Sequence, residues 1–297
     1  MGKLSVGGMR LPTAFWSNTI WYLLLSIISL ISIVLILYKS NNRKFDIGFG
    51  LAVLGTTFHA EFTLLVAFNA YRYFPKIFND SFLDSVFGNY VSQISVATSV
   101  MLAIIYRIPV MCNLIIAGIY FLIDILFVEL GVYRHLWYKS WYSFVLVVLS
   151  LLVANKWYRR LLNHPNPFLY YLTLYLGARA LFSLAIVFKY FFSLEIINKF
   201  VFEESPRNQA FYIILYDSMW IIIMMIIHSL NIKWLWKGIF FVFLFIIQYI
   251  LIKTAGIITV KNGWFLLITL LNIFGSYIAV VVMDYFVRKG IANTQTK

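Results

Sequence analysis

Nine stretches of apolar sequence, each near the twenty residues that an α-helix needs to cross a hydrocarbon layer of about 30 Å, govern what this chain can fold into. They run approximately Trp16–Tyr38, Ile47–Phe68, Tyr90–Ile108, Pro109–Val132, Trp141–Trp157, Pro167–Phe192, Gln209–Ser229, Leu235–Ile257 and Gly263–Val287, with charges or prolines between them. Inside lipid a backbone must satisfy its own N–H and C=O groups, so stretches of this length predict helices. With 62% of its residues hydrophobic and only 12% charged, a chain of 297 residues could not hide its apolar surface in one water-soluble core. The expected fold class is all-α, a polytopic transmembrane helix bundle of about nine helices.

The segment from Gly118 to Arg160 recurs in outline from Gly238 to Lys289. Each copy opens with Gly-Ile-aromatic-Phe and runs as an apolar helix to a glycine, Gly131 or Gly256. It then crosses a short polar loop to Trp141 or Trp264 and closes with a helix that ends in basic residues. Matching Tyr71-Arg72-Tyr73-Phe74 with Phe188-Lys189-Tyr190-Phe191 carries the duplication back through the preceding helix. The expected organisation is a tail with a first, additional helix (1–45), a four-helix repeat (46–164), a second four-helix repeat (165–290) and a polar tail (291–297). Four is even, so both copies enter the bilayer from the same side. That is the parallel kind of repeat, related by an axis along the membrane normal.

The net charge of +13 is spread as pairs and triplets at the ends of the apolar runs. Topology determinants and lipid headgroup contacts show this pattern; a nucleic-acid face does not. The expected partner is therefore the lipid bilayer, with no nucleic acid, and the sequence identifies no protein partner. Lys39, Arg43, Lys44, Arg107, Lys156, Arg159, Arg160, Lys233, Lys237, Arg288 and Lys289 stand on short segments at one side. By the positive-inside rule they place the C-terminus in the cytoplasm and the N-terminus outside a cell membrane. The first apolar run lacks a small-residue cleavage site after it and reads as a retained helix. A lone cysteine, Cys112, can form neither an intramolecular disulfide nor a cysteine-based metal cluster.

The run Leu130-Gly131-Val132-Tyr133-Arg134-His135-Leu136-Trp137-Tyr138-Lys139-Ser140-Trp141-Tyr142, with its echo from Gly256 to Trp264, resembles a family of small multi-pass membrane proteins of spore-forming Firmicutes. That family has an acidic residue seven positions before the helix-ending glycine, then a polar loop, a tryptophan and a final helix closed by tyrosine and Lys or Arg. Asp124 holds the acidic position in the first copy and Tyr249 in the second, a departure that argues against two equivalent active sites. The resemblance covers roughly one helical hairpin in each half. It implies location and fold and supplies no chemistry.

Ionisable residues within the spans are costly, about 2.5–3.5 kcal/mol each at the centre of a lone helix, and are functional candidates for that reason. Glu61, Asp124, Arg179 and Asp217 are the principal ones, as substrate contacts or as ion pairs; His59, Asn113, Glu129, His135 and His228 are secondary. The competing reading is an ion pair that only locks helices together. Arg179 cannot shed its charge and needs an acid. The Arg72–Lys189 match puts Glu61 opposite Ala178, beside Arg179, so the two are expected to meet across the repeat axis, with Asp217 as the rival partner. Asp217 and His228 share a helical stripe, as do Asn113 and Asp124, but lie about 16 Å apart along it and cannot touch. His228 reads as a solvated residue at the rim, and Glu129 and Asp284 as residues near helix ends that reach water.

Catalytic patterns fail. His59-Ala60-Glu61 lacks the second histidine of a zinc-protease helix, no Gly-x-Ser-x-Gly elbow occurs, and no phosphate-binding glycine loop is present. Glu203-Glu204-Ser205-Pro206-Arg207 is one residue short of the acid–arginine motif of intramembrane prenyl-protein proteases. No catalytic residue, metal or cofactor is expected. The function that fits is non-enzymatic: a transporter, or a solute- or proton-linked binding protein with its site between the repeats. A structural or sensory membrane partner is the alternative, and a lipid-directed enzyme the third, for which Arg134 with His135 is the only hint.

Overall fold

The computed structural model describes residues 14–164, 166–198, 201–203, 205–230 and 232–295; the N-terminal tail and Glu204 of the acidic run lie outside them. Nine helices among the described residues are long and apolar enough to cross a membrane. They are α1 (Phe15–Lys39), α2 (Arg43–Ala67), α3 (Ser81–Ile105), α4 (Val110–Glu129), α5 (Ser140–Asn163), α6 (Pro167–Tyr190), α7 (Pro206–Ser229), α8 (Trp234–Thr254) and α9 (Phe265–Ala292). The chain is thus an all-helical, multi-pass membrane bundle. Leu30, Val34, Leu122 and Phe243 stand more than half exposed on its outside, a surface suited to lipid as solvent. The last helix continues to Gln295 and takes most of the expected polar tail into helix.

Helix α3 begins at Ser81, well before the Tyr90 expected from hydropathy. Asp80 caps it by accepting from the N–H groups of Phe82 and Leu83 at 3.0 and 2.8 Å. Asp84 then accepts from the backbone of Lys76, Ile77 and Phe78 at 2.8, 2.7 and 3.0 Å. Its first turns are polar because the loop folds back onto them.

The loops that read as unstructured form two short antiparallel ribbons. Strand β1 (Tyr71–Tyr73) pairs with β2 (Tyr133–His135), Tyr71 opposite His135. Strand β3 (Glu195–Ile197) pairs with β4 (Ile258–Val260), Glu195 opposite Val260. Each ribbon ties the loop after the first helix of a four-helix set to the loop after its third. Gly131 and Gly256 turn the chain out of α4 and α8 into β2 and β4 with φ of 68° and 60°, a left-handed conformation in which a Cβ would be strained. Counted from the ribbons, Arg72 in β1 corresponds to Ile196, whereas Lys189 lies inside α6. The match of Arg72 with Lys189 is therefore displaced, and Glu61 falls level with Ala185 instead of Ala178.

Helix α2 is the centre of the bundle and packs against α6, α9 and α3. Its crossing with α6 is backbone on backbone: Gly55 lies so close to the carbonyl of Leu176 that there is no room for a side chain. The additional helix α1 packs on α3 and sends the Tyr22 hydroxyl under the first ribbon to the Val132 carbonyl. Helices α4 and α5 pair with each other, α7 packs on α6 and α9, and α8 lies at the rim.

Candidate functional site

Beneath the first ribbon the four-helix set of α2 to α5 does not close. A cavity of about 150 Å³ remains, walled by Glu61 of α2, Gln93 of α3, Asp124 of α4 and Ser143 of α5, with Tyr71, Tyr73, Tyr133 and Tyr138 of the ribbon region above. No Lys or Arg lines it among the described residues. Asp124 sits on the one buried stripe of α4, with Asn113, Ala117 and Phe127. Its Oδ1 accepts from His135 Nε2 at 2.9 Å and Ser140 Oγ at 3.2 Å, and its Oδ2 from Ser143 Oγ at 2.6 Å. Glu61 is also buried; Gln93 Nε2 donates to its Oε1 at 2.5 Å, and the Tyr71 hydroxyl donates to its Oε2. Burial holds the Tyr71, Tyr73, Tyr133 and Tyr138 hydroxyls above the ordinary phenol range, so they stay neutral and contribute no charge to the wall.

Beneath the second ribbon the corresponding place is filled. Lys189 Nζ lies 2.5 Å from Asp217 Oδ1, 2.9 Å from Glu195 Oε2 and 2.9 Å from the side-chain carbonyl of Asn272, and Lys189, Glu195 and Asp217 have no exposed side-chain surface. A wide helical turn at Leu271–Gly275 brings Asn272 into this cage, the kind of local insertion often found where a helix must aim a polar group inward. Asp217 thus has a cation, but it is Lys189 and not Arg179.

Arg179 is 4% exposed, donates from Nε to Ser218 Oγ at 3.1 Å, and finds no partner for Nη1 among the described residues. Glu61 and Arg179 both line a smaller cavity, about 50 Å³, between α2, α3, α6 and α7, and no hydrogen bond or ion pair joins them among the described residues. The expected direct pair is corrected: Tyr71 and Gln93 take both oxygens of Glu61 from its own side. The four principal candidates therefore fall into separate places. Glu61 and Asp124 share the ribboned cavity, Glu61 and Arg179 share the smaller one, and Asp217 belongs to the lysine cage.

Among the secondary candidates, His135 joins Asp124, and Asn113 is buried with no partner for its side-chain carbonyl among the described residues. His59 bridges α2 and α6, with Nδ1 at 2.8 Å from the Gly55 carbonyl and Nε2 at 3.0 Å from the Tyr175 hydroxyl. Glu129 is exposed at the end of α4. His228 is not a solvated rim residue: its Nε2 lies 3.2 Å from Asp284, which also accepts from Tyr170 and lies 3.2 Å from Arg288. Asp284 is thus bonded on the inner face of α9 and does not merely reach water.

No group of three or more potential metal ligands occurs among the described residues. Ser143 donates to Asp124 and does not donate to His135, so the Asp–His–Ser cluster leaves no hydroxyl poised for proton removal by the imidazole. The residues the sequence did not single out are Lys189, Glu195, Asn272, Gln93, Tyr71 and Ser143. Lys189 and Tyr71 serve in the sequence only as anchors for matching the two repeats. The uncharged ones carry no cost large enough to mark them.

No family model, curated protein or solved structure matches this chain.

Proposed function

We propose that this protein binds a small polar solute within the membrane, in step with protons, and passes it across as a transporter. The observation that carries this reading is the cavity under the first ribbon, where carboxylates from two different membrane-spanning helices border an open space. A polar space in a bundle is costly unless something polar occupies it, and acids within membrane spans are the usual coupling groups of proton-linked carriers. Glu61 and Asp124 are the groups that exchange the proton, and His135, held by Asp124, is the relay toward the ribbon face. Reconstituted in vesicles loaded with a pH-sensitive dye, the protein is expected to move protons when a transported solute is added. Glu61→Gln and Asp124→Asn should each remove that signal, while Glu129→Gln, at an exposed helix end, should not. A signal unchanged in both site variants would refute the assignment.

The lysine cage favours a second reading for the other half, a structural role in which Lys189, Asp217 and Glu195 lock helices together. Under that reading alone, the variants of Glu61 and Asp124 would alter stability and no flux. The density of Lys and Arg in the short loops opposite the ribbons supports an orientation with those loops and the C-terminus in the cytoplasm and the ribbons outside the cell membrane. In a Cys112→Ala background, a cysteine at Arg134 should react with an impermeant maleimide added to intact cells and one at Arg160 should not; the reverse labelling would invert the orientation.

A further inference from the structure

We infer that the solute of the ribboned cavity is a small organic cation carrying a protonated amine, seated between Glu61 and Asp124; this rests on reading that cavity as the solute site. The first argument is the wall itself. It presents two carboxylates and a set of neutral tyrosine rings, with no Lys or Arg among the described residues, and a ring face and a carboxylate attract the same kind of guest, a cation. About 150 Å³ admits an ammonium group with a few carbons, and the hydroxyls of Ser92, Ser95 and Thr57 on the wall supply neutral hydrogen-bonding partners.

The second argument is independent of the wall and comes from the other half of the molecule. Tyr71 and Glu195 each open the first strand of a ribbon, and Gln93 and Asp217 lie equally far downstream of them. Gln93 bonds Glu61 as Asp217 bonds Lys189, each beneath its own ribbon. In the second half the acids of this place hold an ammonium group that belongs to the chain, Lys189 Nζ, ringed by Asp217, Glu195 and the Asn272 carbonyl. The residue that stands equally far ahead of the first ribbon is Leu65. The first half therefore has neutral Tyr71 and Gln93 where the cage has its acids, carries its own acids Glu61 and Asp124 beside a space beneath the ribbon, and lacks the resident amine. A solute amine supplies in the first half what Lys189 supplies in the second.

The test uses the full-length protein in discs of neutral phosphatidylcholine, so that headgroups collect no cations, with binding read by thermal unfolding and by displacement of labelled methylammonium. Ethylammonium and guanidinium are expected to stabilise and compete, and acetamide and acetate of similar size are not. Asp124→Asn should weaken amine binding by about tenfold or more, equivalent to about 1.4 kcal/mol. Because that variant can also lose structure, Gln93→Lys provides a second arm. It installs a resident ammonium beside Glu61 and should leave the protein folded while abolishing amine binding. If acetamide or acetate binds and amines do not, or if Gln93→Lys binds amines as the parent does, the cation assignment is wrong although the cavity remains a solute site. If no solute of any charge binds, the solute-site reading falls and the inference with it.

Discussion

Lys189→Met is expected to be the most damaging single substitution in the chain. It leaves Asp217 and Glu195 without the Lys189 ammonium between them, in a place where neither side chain has any exposed surface. Removing one member of a buried charge set while its partners remain costs about 3–5 kcal/mol, because the stranded charge keeps its desolvation penalty and loses its compensation. Much of the stability of a bundle this size would go, and the variant should accumulate poorly and unfold at markedly lower temperature in nanodiscs. The same argument predicts a rescue. Lys189→Met combined with Asp217→Asn and Glu195→Gln removes all three formal charges and should recover most of the loss, since an apolar or neutral replacement of a whole buried set is often nearly neutral. Single and triple variants with equal unfolding temperatures would mean that the cage contributes nothing to stability. The size of the single-variant effect also separates Lys189 from the cations at the rim, where exchanging one exposed ion pair changes stability by about 0–1 kcal/mol.

Gly55→Val should be nearly as severe, for a steric reason. A Cβ at Gly55 would stand 1.9 Å from the Leu176 carbonyl oxygen and 2.6 Å from its carbon, and a helical backbone cannot move aside alone. Helices α2 and α6 must separate, and with them the wall that carries Glu61, His59 and Arg179. Overpacking typically costs about 1–3 kcal/mol, and the upper end is expected where the obstacle is backbone. Two substitutions calibrate the result. At Gly177 an added Cβ meets Met283 Cε and Sδ at 2.0 and 2.6 Å, the far end of a flexible side chain, so Gly177→Ala should be milder. At Gly118 an added Cβ meets nothing within 4 Å, and Gly118→Ala in the middle of α4 should be neutral or stabilising by up to about 1 kcal/mol. Thermal unfolding of the three variants in one detergent should rank them in that order. A Gly55→Val protein as stable as Gly118→Ala would contradict the backbone crossing.

Both expectations concern features that hydropathy reads only in part. Gly55 is one of several glycines in apolar text, and nothing in its neighbours marks it as the point where two backbones touch. Lys189 sits near the end of an apolar run, where a lysine ordinarily reaches for headgroups. What reverses that reading is the ribbon: β3 folds Glu195 back over the end of α6, and Asp217 and Asn272 arrive from α7 and α9. Helix α3 shows the same blindness from the other direction. Asp84 and Asn89 stand in the first part of α3, which hydropathy left outside the expected span, yet both are buried. A polar group inside a bundle is allowed once it has partners, and partners distant in sequence do not register in a local window.

By itself the sequence determined the helices, because a backbone in lipid has few other solutions and twenty apolar residues announce one wherever they occur. It also marked Asp124, Glu61, Arg179 and Asp217 as residues that need an explanation, since a charge at that depth is costly in any fold. Which charge meets which was decided only by the tertiary structure. Glu61 turned to Tyr71 and Gln93, Asp217 to Lys189, and Asp124 to His135 and two serines, because a hydrogen bond is settled within about 3 Å and small shifts in helix phase or loop path change the partner. The same short range leaves one half of the molecule with an open acidic cavity and the other with a filled one.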